Sequence, residues 1–309
     1  MRLRSVLVVL IAIVLLAPAA SRADQLFWTD PNLSTIKRSV DGGSPQTIRS
    51  GADYSYVAAD VVRQKLYYTI GSPTPMLLRS NYDGSGEQLL ATFDIHNYPR
   101  GLAVDPAGGK IYWTSSDGYV AGNGTVRRAN LDGSAIENVV SGMVYPYGTA
   151  LDIASSQVYW IQQESNAIRR ASFTGASNQS VYSLGGSSYA FSVAINPLAG
   201  KLYWTDPGNG QVMRSNLDGT GAVPVAALNQ FSLDAGLAVN PYGGRLYWAD
   251  TFNHAIYTSD LNGGGAQVLF GSGQVSYAES IAFVPEPALA TGALFVLGTI
   301  LSRGMIRRR

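Results

Sequence analysis

The chain has 309 residues, 46% of them hydrophobic and only 14% charged, with 34 glycines, 18 tyrosines and no cysteine. The lack of cysteine excludes a disulfide-stapled fold and the cysteine-rich modules that often accompany extracellular β domains, so a secreted form must rest on a large core. The formal net charge is +1, but seven of the 22 basic residues and one acid, Glu286, lie outside 24–285; that stretch holds 15 basic and 20 acidic residues, a net of −5, which argues against nucleic acid as a partner.

The first element is an address. Residues 1–23 carry Arg2 and Arg4, then the apolar run Val6 to Ala17, then SRA before Asp24. A basic start, an apolar middle and small residues at a cleavage point predict a secretory signal peptide.

From Asp24 onward one phrase recurs: LFWTD (26–30), LYYTI (66–70), IYWTS (111–115), VYWIQ (158–162), LYWTD (202–206) and LYWAD (246–250). The central aromatics Trp28, Tyr68, Trp113, Trp160, Trp204 and Trp248 are spaced by 40, 45, 47, 44 and 44 residues. A period in the forties made of strand formers is a propeller or array signal. Before the phrase comes a small-residue strand: VAAD (57–60), LAVD (102–105), TALD (149–152), VAIN (193–196) and LAVN (237–240). After it comes a strand with arginine, from IKRS (36–39) to VMRS (212–215), whose sixth copy is IYTS (256–259). Asp-Gly or Asn-Gly turns follow in most copies, and these favour tight hairpins. A fourth β-rich run ends the unit, as in QLLATF or QVLFG. Each unit therefore reads as a four-stranded antiparallel blade, and six blades predict an all-β six-bladed β-propeller.

The first unit starts at LFWTD with no preceding small-residue strand, while SIAFV (280–284) stands alone at the other end. Ser280–Val284 is therefore expected to supply the innermost strand of the first blade and close the ring. The middle of the inner strand is alanine in all six copies: Ala58, Ala103, Ala150, Ala194, Ala238 and Ala282. Within the phrase, Leu202 and Trp204 fall on one face and Tyr203 and Thr205 on the other. Both faces of a blade are covered by neighbours, so the phrase reads as packing between blades rather than as a cofactor site.

These lines resemble the YWTD, or class B, repeats of the low-density lipoprotein receptor family over 24–284. The resemblance implies a six-bladed propeller that binds proteins and is not an enzyme. The copies depart from the pattern: the final Asp becomes Ile70, Ser115 and Gln162, and the arginine becomes Thr258. A fixed ion pair within each blade is thus not expected. The GH…WD pattern of WD40 propellers is missing.

Function is expected where the copies differ while the frame repeats. Just before the inner strands stand Asp53, Tyr98, Tyr145, Tyr189, Leu233 and Tyr277, and two residues later Ser55, Arg100, Tyr147, Phe191, Ala235 and Glu279. These twelve are expected to ring the mouth of the central channel, with Tyr98, Arg100, Tyr145, Tyr147, Tyr189, Phe191, Tyr277 and Glu279 as the binding rim for a protein or an extracellular polysaccharide. Loops after the second strand add Tyr119, Phe252 and His254; the opposite rim, with turns such as DPAGGK, is expected to offer little. A plug of the channel is the plainer reading of the same aromatics. The enzyme alternative is a metal-dependent hydrolase of lactones or phosphoesters, with Asp53, Asp234 and Glu279 as candidate calcium ligands. Two histidines, His96 and His254, and no GxSxG leave little for a nucleophilic triad. No other cofactor is expected.

The last element, 285–309, runs VPEPALATGALFVLGTILSRGMIRRR from Val284. Pro285-Glu286-Pro287, the apolar stretch Ala288 to Leu301 and the cluster Arg307 to Arg309 resemble the PEP-CTERM sorting signal of Gram-negative bacteria. That resemblance implies an exosortase as partner, transient membrane anchoring through the apolar helix, removal of the tail, and delivery to the cell surface or extracellular matrix.

Overall fold

The computed structural model describes residues 24–94, 97–116, 122–186 and 188–285. The signal peptide and all of the tail except Pro285 lie outside them, as do His96, Tyr119 and the 286–287 part of the sorting motif. Within the described residues 24 strands form six four-stranded antiparallel sheets, with two short 3-10 turns and no α-helix. The expected propeller is therefore what the chain builds.

We number the blades from the phrase at 26–30. Their inner strands are Ser280–Val284, Tyr54–Asp60, Tyr98–Asp105, Pro146–Asp152, Val193–Asn196 and Leu237–Asn240. Each packs beside the next around the axis, and Ser280–Val284 lies between the inner strands of the sixth and second blades. It pairs with Gln25–Asp30, Ala282 opposite Phe27, so the last strand completes the first blade as expected. A ring closed in this way leaves no blade incomplete, and only the short outer strand of each blade remains as an edge.

The phrase packs as its alternation requires. Leu202 and Trp204 join a cluster with Tyr159, Ile161 and Ile168 of the fourth blade. Tyr203 joins Leu237, Leu246 and Trp248 of the sixth. All five tryptophans are fully buried. The alanines sit directly opposite the first aromatic of the phrase, as in Ala58 and Tyr67 or Ala194 and Tyr203. Paired residues share a face, so the alanine leaves room for the ring beside it.

The repeated arginine has a role outside its own blade. Arg79, Arg128, Arg170 and Arg214 each donate from Nη1 to a turn carbonyl of the following blade: Leu131 at 2.9 Å, Phe173 at 2.7 Å, Leu217 at 3.3 Å and Leu261 at 3.2 Å. The phrase tyrosine donates to the same carbonyl at three of these seams, as Tyr203 does to Leu261 at 3.1 Å. Four seams are thus latched by a guanidinium laid across the neighbour's turn. At the first-to-second seam Phe27 has no hydroxyl; Arg38 lies over its ring, and Tyr82 packs against it at 5.2 Å.

Candidate functional site: the channel mouth

The end of the phrase builds the mouth. Thr29 accepts the Ser280 N–H of its own blade at 3.2 Å and donates to the Ser55 carbonyl of the next at 2.7 Å. Thr69 accepts the Tyr56 N–H at 3.0 Å, and Thr205 bridges the Ser192 N–H and the Ala235 carbonyl. At Thr29 and Thr205 the hydroxyl therefore ties the start of one inner strand to the start of the next, whereas Thr114 Oγ1 is buried without a partner.

The aspartate holds the loop that leads into the inner strand. Asp30 accepts the N–H groups of Ser276 and Tyr277 at 2.8 and 3.2 Å. Asp250 accepts from Ser232 Oγ at 2.5 Å and from the Asn229 N–H at 3.3 Å. No repeated arginine pairs with these acids; four of the five reach a turn carbonyl of the next blade instead.

Where the inner strand begins, the ladder slips by a residue in three blades: between Tyr54 and Val57, Pro99 and Gly101, and Tyr147 and Thr149. Such bulges re-aim a side chain. Two glycines make the crowding possible. A Cβ on Gly101 would stand 2.8 Å from Thr149 Oγ1, and one on Gly148, at φ +38°, only 2.5 Å from the Phe191 carbonyl oxygen.

Four residues of the expected inner ring do converge. Arg100 donates from Nη1 to the Tyr147 hydroxyl at 2.9 Å, with its guanidinium 5.0 Å from that ring's centre. Tyr147 meets Phe191 edge to face at 5.2 Å. Glu279 reaches the same space from the first blade. Two positions are corrected. Ala235 is fully buried away from the mouth, and its neighbour Asp234, at φ 54°, faces it instead. Ser55 gives way likewise to Tyr56, which the alignment of copies did not single out.

The acids and the phenol perturb one another. Burial first, then the charges of Asp234 and Asp53, raise the Glu279 carboxyl well above its ordinary value, against a hydrogen bond from Tyr56 and the charge of Arg100. Burial raises Asp234 too, with Arg100 and Tyr277 opposing. Burial, then Glu279 and Asp234, push the Tyr56 hydroxyl well up. The enclosed space is a cavity of about 60 Å3 lined by Tyr56, Gly101, Gly148, Phe191, Asp234 and Glu279 among others. That is room for a few waters, not for a sugar ring. The channel mouth is therefore filled by its own side chains.

The outer ring stands above it. Tyr145, Tyr189 and Leu233 are exposed, Tyr189 at 58%; Tyr98, Asp53 and Tyr277 are half-buried. Tyr277 donates to the Leu233 carbonyl at 3.1 Å and lies 3.4 Å from Asp234 Oδ2. Phe252 and Phe231, exposed at 54% and 63%, pack together at 5.4 Å. Phe231 was not among the expected residues; a phenylalanine in a polar loop, NQFSLDAG, was its only signal. His254 is tied through Nδ1 to the Ser276 carbonyl.

The calcium site is not assembled. Among the described residues no three His, Cys, Asp or Glu side chains gather so as to hold a metal ion, and Asp53, Asp234 and Glu279 share their space with Arg100. The opposite rim is also richer than expected, because Val62, Leu198 and Tyr242 stand exposed on its turns.

Comparison with known proteins agrees with this architecture. No protein-family model matches the chain. Protein cueball of Drosophila grimshawi is 33% identical over 108 residues, 35% of this chain and 16% of that protein. Low-density lipoprotein receptor-related protein 5 of Mus musculus is 34% identical over 94 residues, 29% of this chain and 6% of that protein. The chain thus spans only a small part of the curated relatives it matches. Among solved structures, a chain of the nidogen/laminin complex superposes with a TM-score of 0.72 at 18% identity, over 85% of this chain and 99% of that one. A gluconolactonase from Xanthomonas campestris gives 0.58 at 18% identity, over 74% and 83%. At these identities the structural likeness establishes the six-bladed fold, which is shared by a propeller from a protein complex and by an enzyme.

Proposed function

We propose that this chain is an exported, non-enzymatic binding propeller whose aromatic rim takes a protein partner. One observation carries the reading: Tyr145, Tyr189, Phe231, Leu233 and Phe252 stand exposed on one rim, around a mouth already filled by Arg100, Tyr147, Phe191 and Glu279. Large apolar side chains held outward by loops on a rigid ring suit a protein surface. The nidogen/laminin likeness supports a protein partner. Export, exosortase sorting, transient anchoring and surface delivery rest on the sequence pattern of the two ends. The hydrolase reading has the gluconolactonase fold in its favour, but lacks a gathered set of metal ligands among the described residues.

Panning a peptide-display library and a glycan array on the wild-type chain and on a Phe231→Ala/Phe252→Ala variant tests the proposal. Peptides that bind the wild type and lose binding on the variant support it. Binding of glycans alone, or peptides that bind both chains alike, overturns it.

A further inference from the structure

The seam between the sixth and first blades is the one where the arginine latch is replaced on both sides. The arginine position holds Thr258, and the neighbour's turn position, filled by Tyr82, Leu131, Phe173, Leu217 or Leu261 elsewhere, holds Asp41. A cavity of about 380 Å3 opens there, on the side away from the aromatic rim. Asp24, Asp41, Arg245, Tyr247, Thr258 and Phe283 are among its lining residues.

Three features describe what fits it. Thr258 is 5% exposed and its Oγ1 has no hydrogen-bond partner. Tyr247 and Phe283 lie nearly parallel, ring centres 5.7 Å apart, and form a flat apolar wall. Asp24, which accepts from Asn240 Nδ2 at 3.0 Å, and the exposed Asp41 bring two negative charges against the single positive charge of Arg245. Arg245 also lies near enough to Asp260 to help hold that carboxyl low, after the backbone N–H groups of Asn262 and Gly264. A planar cation able to stack on a ring and donate to oxygens meets all three, and guanidinium is that group. The four latched seams hold a guanidinium in the corresponding place, beside a phrase tyrosine at three of them and on a turn carbonyl.

We propose that this seam is a binding site for an arginine side chain presented by a protein partner, which completes from outside the latch that the chain supplies for itself at four other seams. The site is distinct from the aromatic rim, so it stands or falls separately from the rim reading.

Calorimetric titration of the full-length chain with N-acetyl-arginine amide tests it, with the citrulline and lysine amides as controls. A Kd on the order of 1 mM is expected, what a ligand of about 15 non-hydrogen atoms reaches at ordinary efficiency. Citrulline amide, which lacks the charge, should bind at least ~10-fold more weakly, and the lysine amide, which cannot stack as a plane, more weakly as well. Asp41→Asn keeps a residue type that accepts the φ of 52° at this turn and should weaken arginine binding several-fold. Thr258→Arg should abolish it by filling the seam. Absence of binding to the wild type at about 20 times the expected Kd overturns the proposal. So does equal binding of citrulline amide, or an unchanged affinity in Asp41→Asn. The Asp41→Asn result decides even where Thr258→Arg fails to fold.

Discussion

Replacing Thr29 by valine isolates the threonine of the repeated phrase. The two side chains have nearly the same shape, so the change opens no cavity; what it removes is a hydroxyl with two partners. In the wild type that hydroxyl accepts the Ser280 N–H at 3.2 Å and donates to the Ser55 carbonyl at 2.7 Å, at a residue with no solvent exposure. Each net hydrogen bond contributes about 0.5–1.5 kcal/mol, and a donor or acceptor left buried without a partner costs about 1–3 kcal/mol. The gain from burying a methyl in place of a hydroxyl offsets part of this. A loss of about 2 kcal/mol follows, equivalent to a fall in Tm of roughly 4 °C for a domain of this size. Equilibrium unfolding in urea, followed through the five buried tryptophans, measures it. The longer bonds of Thr205, 3.3 and 3.4 Å, predict a smaller loss for Thr205→Val. Hydrogen exchange gives a local readout, because the Ser280 amide should lose protection in Thr29→Val. A stability change under about 0.5 kcal/mol with the Ser280 amide still protected would refute the clamp.

Glu279 and Tyr203 provide two further tests. The Glu279 carboxyl is raised above its ordinary 4.5, chiefly by burial and the neighbouring acids, so between that value and its folded one the native state binds more protons than the unfolded state. Stability then falls as pH rises through that window. Glu279→Gln removes this decline: it should match the wild type near pH 4 and exceed it near pH 8 in urea midpoints, and an equal gap at both pH values would count against the buried-acid account. Tyr203→Phe removes one donor to the Leu261 carbonyl, which Arg214 still occupies at 3.2 Å. Its cost should be about 0.5–1.5 kcal/mol by chemical unfolding, in keeping with the phenylalanine that stands naturally at position 27, and no loss would mean that the tyrosine latch contributes nothing.

The fold was legible because packing between blades demands the same large side chains at the same register six times over. Even the closure could be read, since SIAFV had no phrase to follow it. The outer strand Gln46–Ser50 was hard to see for the opposite reason: it is mostly uncovered on both faces, so nothing fixes an apolar pattern there. At the mouth the alignment found Arg100, Tyr147, Phe191 and Glu279 but put Ser55 and Ala235 in the ring; Tyr56 went unnamed, and Asp234 was expected only as a candidate metal ligand. A period of two says which face a residue takes, and it cannot say where the ladder slips by one, as between Tyr54 and Val57, or where a loop residue turns to positive φ, as Asp234 does. The seam cavity was visible only in pieces. Thr258 is an evident departure and Asp41 a less evident one, and only the closed ring brings them together.

The scattered loss of the final aspartate, which the sequence left as a departure, has a structural logic. The loops leading into the inner strands of the fifth, sixth and first blades span 184–192, 228–236 and 271–279, nine residues each. Those blades end the phrase in Asp206, Asp250 and Asp30. The corresponding loops of the second, third and fourth blades span 51–53, 93–97 and 144–145, and there the phrase ends in Ile70, Ser115 and Gln162. A short loop is held by the strands it joins, whereas a nine-residue loop needs an anchor for its backbone N–H groups. A buried carboxylate accepts several at once, as Asp30 does from Ser276 and Tyr277. The long loops also share a serine at one position, Ser188, Ser232 and Ser276. Ser232 bonds to Asp250, while at the fifth blade Ser188 Oγ and Asp206 Oδ1 are both buried and without partners. The exposed residues Tyr189, Phe231 and Leu233 all ride on the long loops. The phrase is therefore packing at its start and loop support at its end: its aspartate persists in the three blades with a nine-residue loop, and it holds that loop in the first and sixth.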